Sequence, residues 1–451
     1  MSEKASSRFS LSGLLFPPIS DRTVTVATLG LILVGCALRL AWALHGHMDS
    51  TNSEAHFIAK ALAEGRGFSD AFGPGTGPTA HLMPLTPLPA ALAYAVFGTG
   101  SHAAELALTI WALATLAAAL FLGERVLREL GAPALARLGA VAFVAILPIQ
   151  YAVEADAFRV WEGGLAAAAT LAVLLAALRL DRRETISRRV LVALGLANGA
   201  IFLISPPAAL GASGVIGLLL LRRVSWRRWW LPIVSAAALV VIVLVPWGLR
   251  NERVLGDFVA LRTGGGMSLA LSYYDGRLNS PDIQTTDFRR FKEVSPLMGP
   301  AARERYMQVG EVAYNRELGQ QASAWMAAHK GEVLRIRLRN FIEFYAPPAW
   351  LWTRFTTSAG SFVEVRRALV LLTTLIAALT VAIAMARGRY RWFYVAAALL
   401  APSLPYIATY PVLRYHYLVS TLLIFIAAAG VWQLLGALLG RRTDKTPEGP
   451  A

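Results

Sequence analysis

About ten apolar runs recur along the chain, and each is roughly as long as a helix that crosses a membrane. A helix needs about 17 to 25 apolar residues to cross about 30 Å of hydrocarbon. Only 16% of the residues are charged and 56% are hydrophobic, whereas about a quarter of the residues of a soluble protein are charged. The pattern predicts an all-α polytopic membrane protein with about ten transmembrane helices, near residues 24–44, 102–122, 133–150, 160–178, 189–204, 206–221, 230–249, 367–386, 392–409 and 417–437.

The net charge of +15 comes from basic residues that gather in the short loops between alternate runs. Such a distribution is typical of membrane orientation rather than nucleic-acid binding, so no nucleic-acid partner is expected. Because basic loops stay in the cytoplasm, both termini are predicted to be cytoplasmic. In a bacterial inner membrane the less basic loops then face the periplasm. The basic loops include Arg125 and Arg128, Arg182 and Arg183, Arg222 and Arg223, Arg387 and Arg389, and Arg441 and Arg442.

Two polar stretches lie on the predicted outer side: residues 45–100, called the first loop, and residues 250–366, called the long loop. They divide the chain into an N-terminal transmembrane module with the first loop inside it (1–249), the long loop, and C-terminal transmembrane helices with a cytoplasmic tail (367–451). The long loop is too long for a linker. We expect it to fold over the first loop rather than to form an independent domain.

Both stretches show helical periodicity. Ser53 to Glu64 places its apolar residues on one face, and the following Gly/Pro-rich turn forbids a longer helix. Such a segment lies along a membrane instead of crossing it. A second helical pattern runs from Ala301 to Glu343. The sequence therefore predicts juxtamembrane helices in the first loop and a mainly helical long loop.

The first loop carries Asp49 and Glu54 at the predicted water boundary, where a carboxylate can act as a general base or an electrostatic anchor. A structural alternative is that Asp49 or Ser53 only caps the following helix. A second pair of acids stands near the fourth run. Asp156 has a spacing to Arg159 that favours an ion pair.

Glu162 begins the fourth run, where a carboxylate is costly unless it faces a cavity. It is expected either to contact substrate or to pair with Arg159.

Five segments, in this order, resemble the GT-C class of membrane glycosyltransferases, specifically the family 39 type that includes protein O-mannosyltransferases and lipid A aminoarabinose transferases. The resemblance covers almost the whole chain. The segments are IAKALAEGRGF with PTAHLMPLTPLPAALAYAVFG in the first loop; the short loop with Pro148, Tyr151 and Glu162; PWGLRNERVLGDFVALRTGGGMSL from Pro246; RERYMQVGEVAY with ASAWMAAHKGEVL; and RYHYLVSTLLIFIAAAG from Arg414.

The resemblance implies inverting transfer of a sugar from a polyprenyl-phosphate donor, among membrane lipids, to a lipid, glycan or protein acceptor at the outer face. It also implies a catalytic carboxylate in the first loop, shortly before the juxtamembrane helix. The usual positions carry Thr51 and Asn52 here, and neither is an acid. Asp49, two or three residues earlier, is the favoured base, with Glu54 second.

Such a reaction also needs a cation that holds the departing lipid phosphate. Arg414, flanked by Tyr415 and His416, is the first choice, and Arg250 is the second. A guanidinium is always charged and matches the geometry of phosphate oxygens. Both arginines could instead be anchors at the membrane interface. Arg39, deep in the first run, is expected to have a partner or a lipid headgroup.

Other signals are weaker. His45, His47 and Asp49 could bind a divalent metal, but they offer too few ligands, so no metal and no cofactor are predicted. The glycines after Thr263 lack a Walker lysine and are expected to let the backbone approach a substrate.

Three other functions remain open. A flippase for a lipid-linked sugar would be expected to show an internal repeat. An O-antigen ligase or polymerase would concentrate its functional arginines in the later loop. A third alternative is a protein that has lost catalysis and only binds a lipid.

Overall fold

A computed structural model describes residues 19–45, 52–147, 158–354 and 363–443. Within these ranges the regular structure is helical, apart from one isolated bridge between Ser69 and Pro78. The all-α prediction is confirmed. The helices up to the long loop are α1 (Asp21–Leu44), α2 (Glu54–Ala63), α3 (Leu88–Phe97), α4 (His102–Glu129), α5 (Ala134–Ile146), α6 (Gly163–Leu180), α7 (Arg188–Ile204), α8 (Pro206–Arg223) and α9 (Trp230–Leu255).

The long loop is mainly helical, as predicted. Its helices and those that follow are α10 (Gly265–Ala270), α11 (Ile283–Val294), α12 (Pro300–Val309), α13 (Glu311–Ala328), α14 (Lys330–Tyr345), α15 (Ala349–Arg354), α16 (Val363–Ala386), α17 (Arg391–Leu400), α18 (Leu404–Ala408) and α19 (Tyr417–Thr443).

Within the ranges that the structure describes, six helices are long and apolar enough to cross a membrane: α1, α4, α6, α9, α16 and α19. Three of the other four predicted spans coincide with shorter or broken helices, and the fourth coincides with α8, which has 18 residues and ends in two arginines. α5 has 13 residues and α7 has 17, and α7 ends at Ser205 because two prolines open α8. The stretch from Arg391 is interrupted before α18, where Pro402 and Pro405 remove backbone donors. The prediction of about ten full spans therefore holds for six by length and composition.

Arg39 has protein partners, one of the two environments predicted for it. Its guanidinium is buried and donates hydrogen bonds to the carbonyl oxygens of Ala145 at 2.6 Å and Val144 at 2.8 Å. These carbonyls belong to the last turn of α5, where they lack helical donors and where the helix dipole is negative. The arginine therefore joins α1 to the end of α5.

The first loop and the long loop share one apolar core. The buried side chains of α2 and the following turn, such as Ile58 and Phe72, belong to the same cluster as Tyr306 and Tyr314 of α12 and α13. The Phe72 and Tyr306 rings meet edge to face at 5.0 Å, a preferred aromatic geometry. This packing fixes the first loop against the long loop.

A buried polar network joins the long loop to the segment before α19. Arg277, fully buried, pairs with Asp287 and with Glu343, the latter at 2.8 Å, and donates to the Asn340 side chain at 3.2 Å. Asn340 in turn donates to the carbonyl oxygen of Thr409 at 2.6 Å. Buried charges are tolerated only when paired and hydrogen-bonded. The network thus fixes a backbone segment that leads into the candidate site.

The orientation prediction can be tested with reporter fusions. Alkaline phosphatase depends on disulfides that form only outside the cytoplasm, so a fusion at Asp287 in the long loop should be active. The same reporter at Arg188, which opens α7 in a basic loop, should be inactive. Activity per expressed fusion in a bacterial host measures the difference, and the opposite pattern would reverse the orientation.

Candidate functional site

A small pocket lies where the first loop, the start of α6, the start of α8, the long loop and the segment before α19 meet. Its wall carries two guanidinium groups, one carboxylate and several aromatic side chains. Positive charge therefore exceeds negative charge in the lining, which suits an anionic ligand.

Arg414, predicted as the phosphate ligand, lines this pocket. It belongs to a short 3-10 turn, Leu413–His416, directly before α19. Its guanidinium carbon lies 3.8 Å from the centre of the Trp161 ring, which holds the cation by a cation–π contact. Its side chain remains 23% exposed, so the charged group is oriented and still accessible.

Glu54, the second choice as base, lies next to Arg414. One carboxylate oxygen is 3.9 Å from an Arg414 nitrogen, and the Glu54 side chain is 15% exposed. Glu54 is the first residue of α2, where Ser53 caps the helix by accepting a hydrogen bond from the His56 amide. A negative charge is favourable at that helix end. The capping role considered for Asp49 or Ser53 thus falls to Ser53 among the described residues.

Glu162 also lines the pocket, at the residue before α6. One carboxylate oxygen accepts a hydrogen bond from the Tyr417 hydroxyl at 3.1 Å. The other oxygen is buried and has no hydrogen-bond partner among the described residues. A buried unsatisfied carboxylate oxygen is costly, so this atom is suited to accept a ligand hydroxyl. Arg159, the alternative partner, pairs with Glu105.

The second pocket cation is Arg262, which sequence reasoning missed. It is exposed, in an irregular segment of the long loop, and no hydrogen bond or ion pair joins it to the residues that the structure describes. The only signal was its position directly before the glycine run. One arginine among many in a polar loop carries no further pattern, so its place in the pocket depended on the tertiary structure.

Arg250 occupies a different environment from Arg414. Its guanidinium donates to the carbonyl oxygens of Phe68 at 2.6 Å and Thr79 at 2.7 Å, and it lies over the Trp247 ring. These bonds join the end of α9 to the first loop. Arg250 does not line the described pocket, so its contacts are those of a structural anchor.

The aromatic neighbours of Arg414 separate into two groups. Tyr415 lines the pocket and stacks on Tyr406, with ring centres 4.1 Å apart. His416 is buried beside Phe344 of α14 and does not line the pocket. Of the two predicted flanking residues, Tyr415 therefore faces the candidate site.

Asp49 and Asp156 lie outside the described residues, so their predicted roles stay predictions. The same holds for His47, one of the three possible metal ligands. Within the ranges that the structure describes, no group of three His, Cys, Asp or Glu side chains could hold a metal ion.

The glycine run has a packing role that its sequence did not indicate. A Cβ atom built on Gly266 would lie 1.8 Å from the carbonyl oxygen of Asn315 in α13, well below any allowed contact. Only glycine lets α10 approach α13 this closely. Gly264 has a positive φ of 66°, and a Cβ there would meet the His81 ring at 3.3 Å.

His81 stands at the edge of the site, directly before the pocket residues Leu82 and Met83. Its Nδ1 atom is buried without a hydrogen-bond partner in the described structure. Burial, the largest influence, lowers the pKa of His81 below its ordinary value, although Glu54 and Glu311 act in the opposite direction. This environment favours the neutral form of the imidazole.

No family model matches the chain, and no curated protein sequence is significantly similar to it. Several solved structures are similar to the chain, and two of them have the following identity and coverage. One is the archaeal oligosaccharyltransferase AglB from Archaeoglobus fulgidus in complex with an inhibitory peptide and a dolichol-phosphate: 14% identity, TM-score 0.48, 94% of this chain and 52% of that chain. The other is ArnT from Cupriavidus metallidurans bound to undecaprenyl phosphate: 15% identity, TM-score 0.37, 96% of this chain and 82% of that chain. The chain thus spans about half the length of the oligosaccharyltransferase.

Proposed function

We propose that the protein is a GT-C type glycosyltransferase that moves a sugar from a polyprenyl-phosphate donor to a lipid, glycan or protein acceptor, with inversion at the anomeric carbon. The observation that carries this proposal is the pocket in which Arg262 and Arg414 stand together beside the carboxylates Glu54 and Glu162. The five sequence segments that resemble family 39 enzymes add the reaction class.

The two guanidinium groups are assigned to the donor phosphate. Charge-assisted hydrogen bonds from arginine to phosphate are among the strongest in proteins. They also stabilise the negative charge that grows on the phosphate as it leaves the sugar. Arg414 contributes an oriented group, because Trp161 holds its guanidinium plane. Arg262 contributes a group with no described internal partner, so little has to be broken when phosphate enters.

The first loop is assigned the general base. Its carboxylate, Asp49 or else Glu54, removes the proton of the acceptor hydroxyl, and the resulting oxygen attacks the anomeric carbon. The bond between that carbon and the phosphate oxygen breaks, and its electron pair leaves with the lipid phosphate. Glu162, whose second oxygen is unsatisfied, accepts a hydroxyl of the bound sugar.

Purified protein in lipid nanodiscs tests this function directly. We expect it to bind undecaprenyl phosphate, and to release that lipid phosphate from undecaprenyl-phosphate sugars when a suitable acceptor is present. Mass spectrometry of the lipid products measures both. Hexose and pentose donors should be compared, with dodecyl phosphate as a control for simple detergent-like binding. Absence of both binding and release across the donor panel would refute the function.

A further inference from the structure

Glu311, the first residue of α13, is a buried carboxylate with four hydrogen-bond donors around it. One oxygen accepts from the Ala80 amide at 2.8 Å and the Thr263 hydroxyl at 2.5 Å. The other accepts from the Tyr306 hydroxyl at 2.9 Å and from the Thr79 hydroxyl. A carboxylate has about four acceptor sites, so these donors fill it. Glu311 is therefore suited to hold the segments that supply these donors.

Three of the four donors come from two segments that end at the candidate site, and the fourth, Tyr306, lies in α12. Thr79 and Ala80 lie in the first loop, directly before His81 and the pocket residue Leu82. Thr263 follows the pocket residue Arg262 in the long loop. The two segments also bind each other, because the Thr263 amide donates to the Ala80 carbonyl at 2.9 Å.

The position of Arg262 depends on these hydrogen bonds of the neighbouring backbone. Its own side chain is exposed and makes no hydrogen bond to the described residues, so its position depends on the backbone beside it. That backbone is irregular between Gly256 and Gly264, both of which have positive φ. A segment without helical hydrogen bonds has several accessible conformations, and the bond at Thr263 selects one of them.

We infer that Glu311 is a positioning residue that fixes Arg262, through Thr263, and the first-loop wall of the pocket, through Thr79 and Ala80, for capture of the lipid phosphate. The inference rests on the proposed function for the identity of the ligand. The four hydrogen bonds to Glu311 and the bond between Thr263 and Ala80 are together called the clasp. The clasp can be tested without any ligand. Glu311 does not touch the phosphate, and its effect passes through the two segments.

Two substitutions of Glu311 distinguish the effect of its hydrogen bonds from the effect of burying a side chain at this position. In Glu311→Gln, the amide oxygen can still face the Ala80 amide and the Thr263 hydroxyl. The new amino group can then face the two hydroxyls of Thr79 and Tyr306, which are able to accept. Glu311→Ala removes all four bonds.

We expect the dissociation constant for undecaprenyl phosphate to rise about tenfold in Glu311→Ala, as for the loss of one phosphate contact, and by less than about twofold in Glu311→Gln. The matched control is Glu317→Ala, on the same helix, because Glu317 is partly exposed and pairs with Arg305 at 2.5 Å. It should leave the dissociation constant unchanged.

Hydrogen–deuterium exchange supplies the second readout. The amides of Ala80 and Thr263 both donate within the clasp, so both should exchange faster in Glu311→Ala and stay protected in Glu311→Gln. Should Glu311→Ala fail to fold, Thr263→Val decides, since it keeps the shape and removes only the hydroxyl that ties the Arg262 segment. It should raise the dissociation constant at least threefold.

Unchanged affinity in folded Glu311→Ala, or in Thr263→Val if that variant must be used, overturns the inference. Unchanged exchange at Ala80 and Thr263 in Glu311→Ala overturns the clasp itself. If the wild-type protein binds no undecaprenyl phosphate, the proposed function and the phosphate role of Arg262 fail together. The exchange experiment then still supports or overturns the positioning of the two segments by Glu311.

Discussion

Replacing Asp49 with asparagine is expected to lower sugar transfer by about a hundredfold or more, because asparagine cannot accept the acceptor proton. Asparagine keeps the size of aspartate and much of its capacity to cap a helix. The melting temperature should therefore change little. The transfer rate per amount of folded protein, measured with saturating donor, separates this chemical loss from a loss of stability.

Glu54→Gln is the matched comparison, and it should lower sugar transfer far less than Asp49→Asn. A base must come within about 3 Å of the acceptor hydroxyl, and two acids at different distances from the start of α2 cannot both do so in one pose. Glu54 already lies 3.9 Å from Arg414, on the side assigned to the phosphate. An inactive Glu54→Gln with an active Asp49→Asn would exchange the two roles. Normal transfer by both variants would remove the general base from the first loop.

Arg414→Ala should weaken binding of undecaprenyl phosphate about ten- to a hundredfold, because the loss of a charge-assisted hydrogen bond costs roughly 1.5 to 3 kcal/mol. Its melting temperature should fall only slightly, since the side chain is partly exposed and lies over the ring of the pocket residue Trp161. The affinity of Arg414→Lys for undecaprenyl phosphate should lie between those of the wild-type protein and Arg414→Ala. Lysine keeps the positive charge but lacks the planar set of donors. Titration of the lipid phosphate in nanodiscs measures all three proteins.

Arg250→Ala provides the control for this measurement. Its guanidinium binds the backbone carbonyls of Phe68 and Thr79, so its loss should lower the melting temperature more than it lowers lipid affinity. The opposite ranking, with Arg250→Ala losing affinity and a well-folded Arg414→Ala keeping it, would identify Arg414 as a membrane anchor and transfer the phosphate role to Arg250.

The helical architecture followed from the sequence because it depends on local properties. The length of an apolar run is set by the thickness of the hydrocarbon, and the cap at Ser53 depends on residues within one turn. The same locality limits how well helix length can be predicted. Apolar runs near α5 and α17 have suitable composition, but helix length there depends on prolines and on packing against neighbours.

The sequence alone identified only some of the residues of the candidate site. Arg414 and Glu54 could be selected because each stands at a predicted outer boundary, where a guanidinium can bind phosphate and a carboxylate can act as a base. Their proximity to each other could not, because no periodicity links a residue of the first loop to one before the last helix. Arg262 and Glu311 were missed for the same reason. Each has an ordinary sequence context, and only its contacts distinguish it.

The sequence by itself determined a helical membrane protein, two polar loops, a capped juxtamembrane helix and a set of candidate charges, since all of these depend on composition and on short spacings. Only the tertiary structure decided which charges meet. Arg262 and Arg414 line one pocket, and Arg250 donates hydrogen bonds to backbone carbonyls. Glu311 accepts hydrogen bonds from both the first loop and the long loop. The physical reason is that these contacts join residues far apart in the chain, and their free energy comes from packing that no local pattern records.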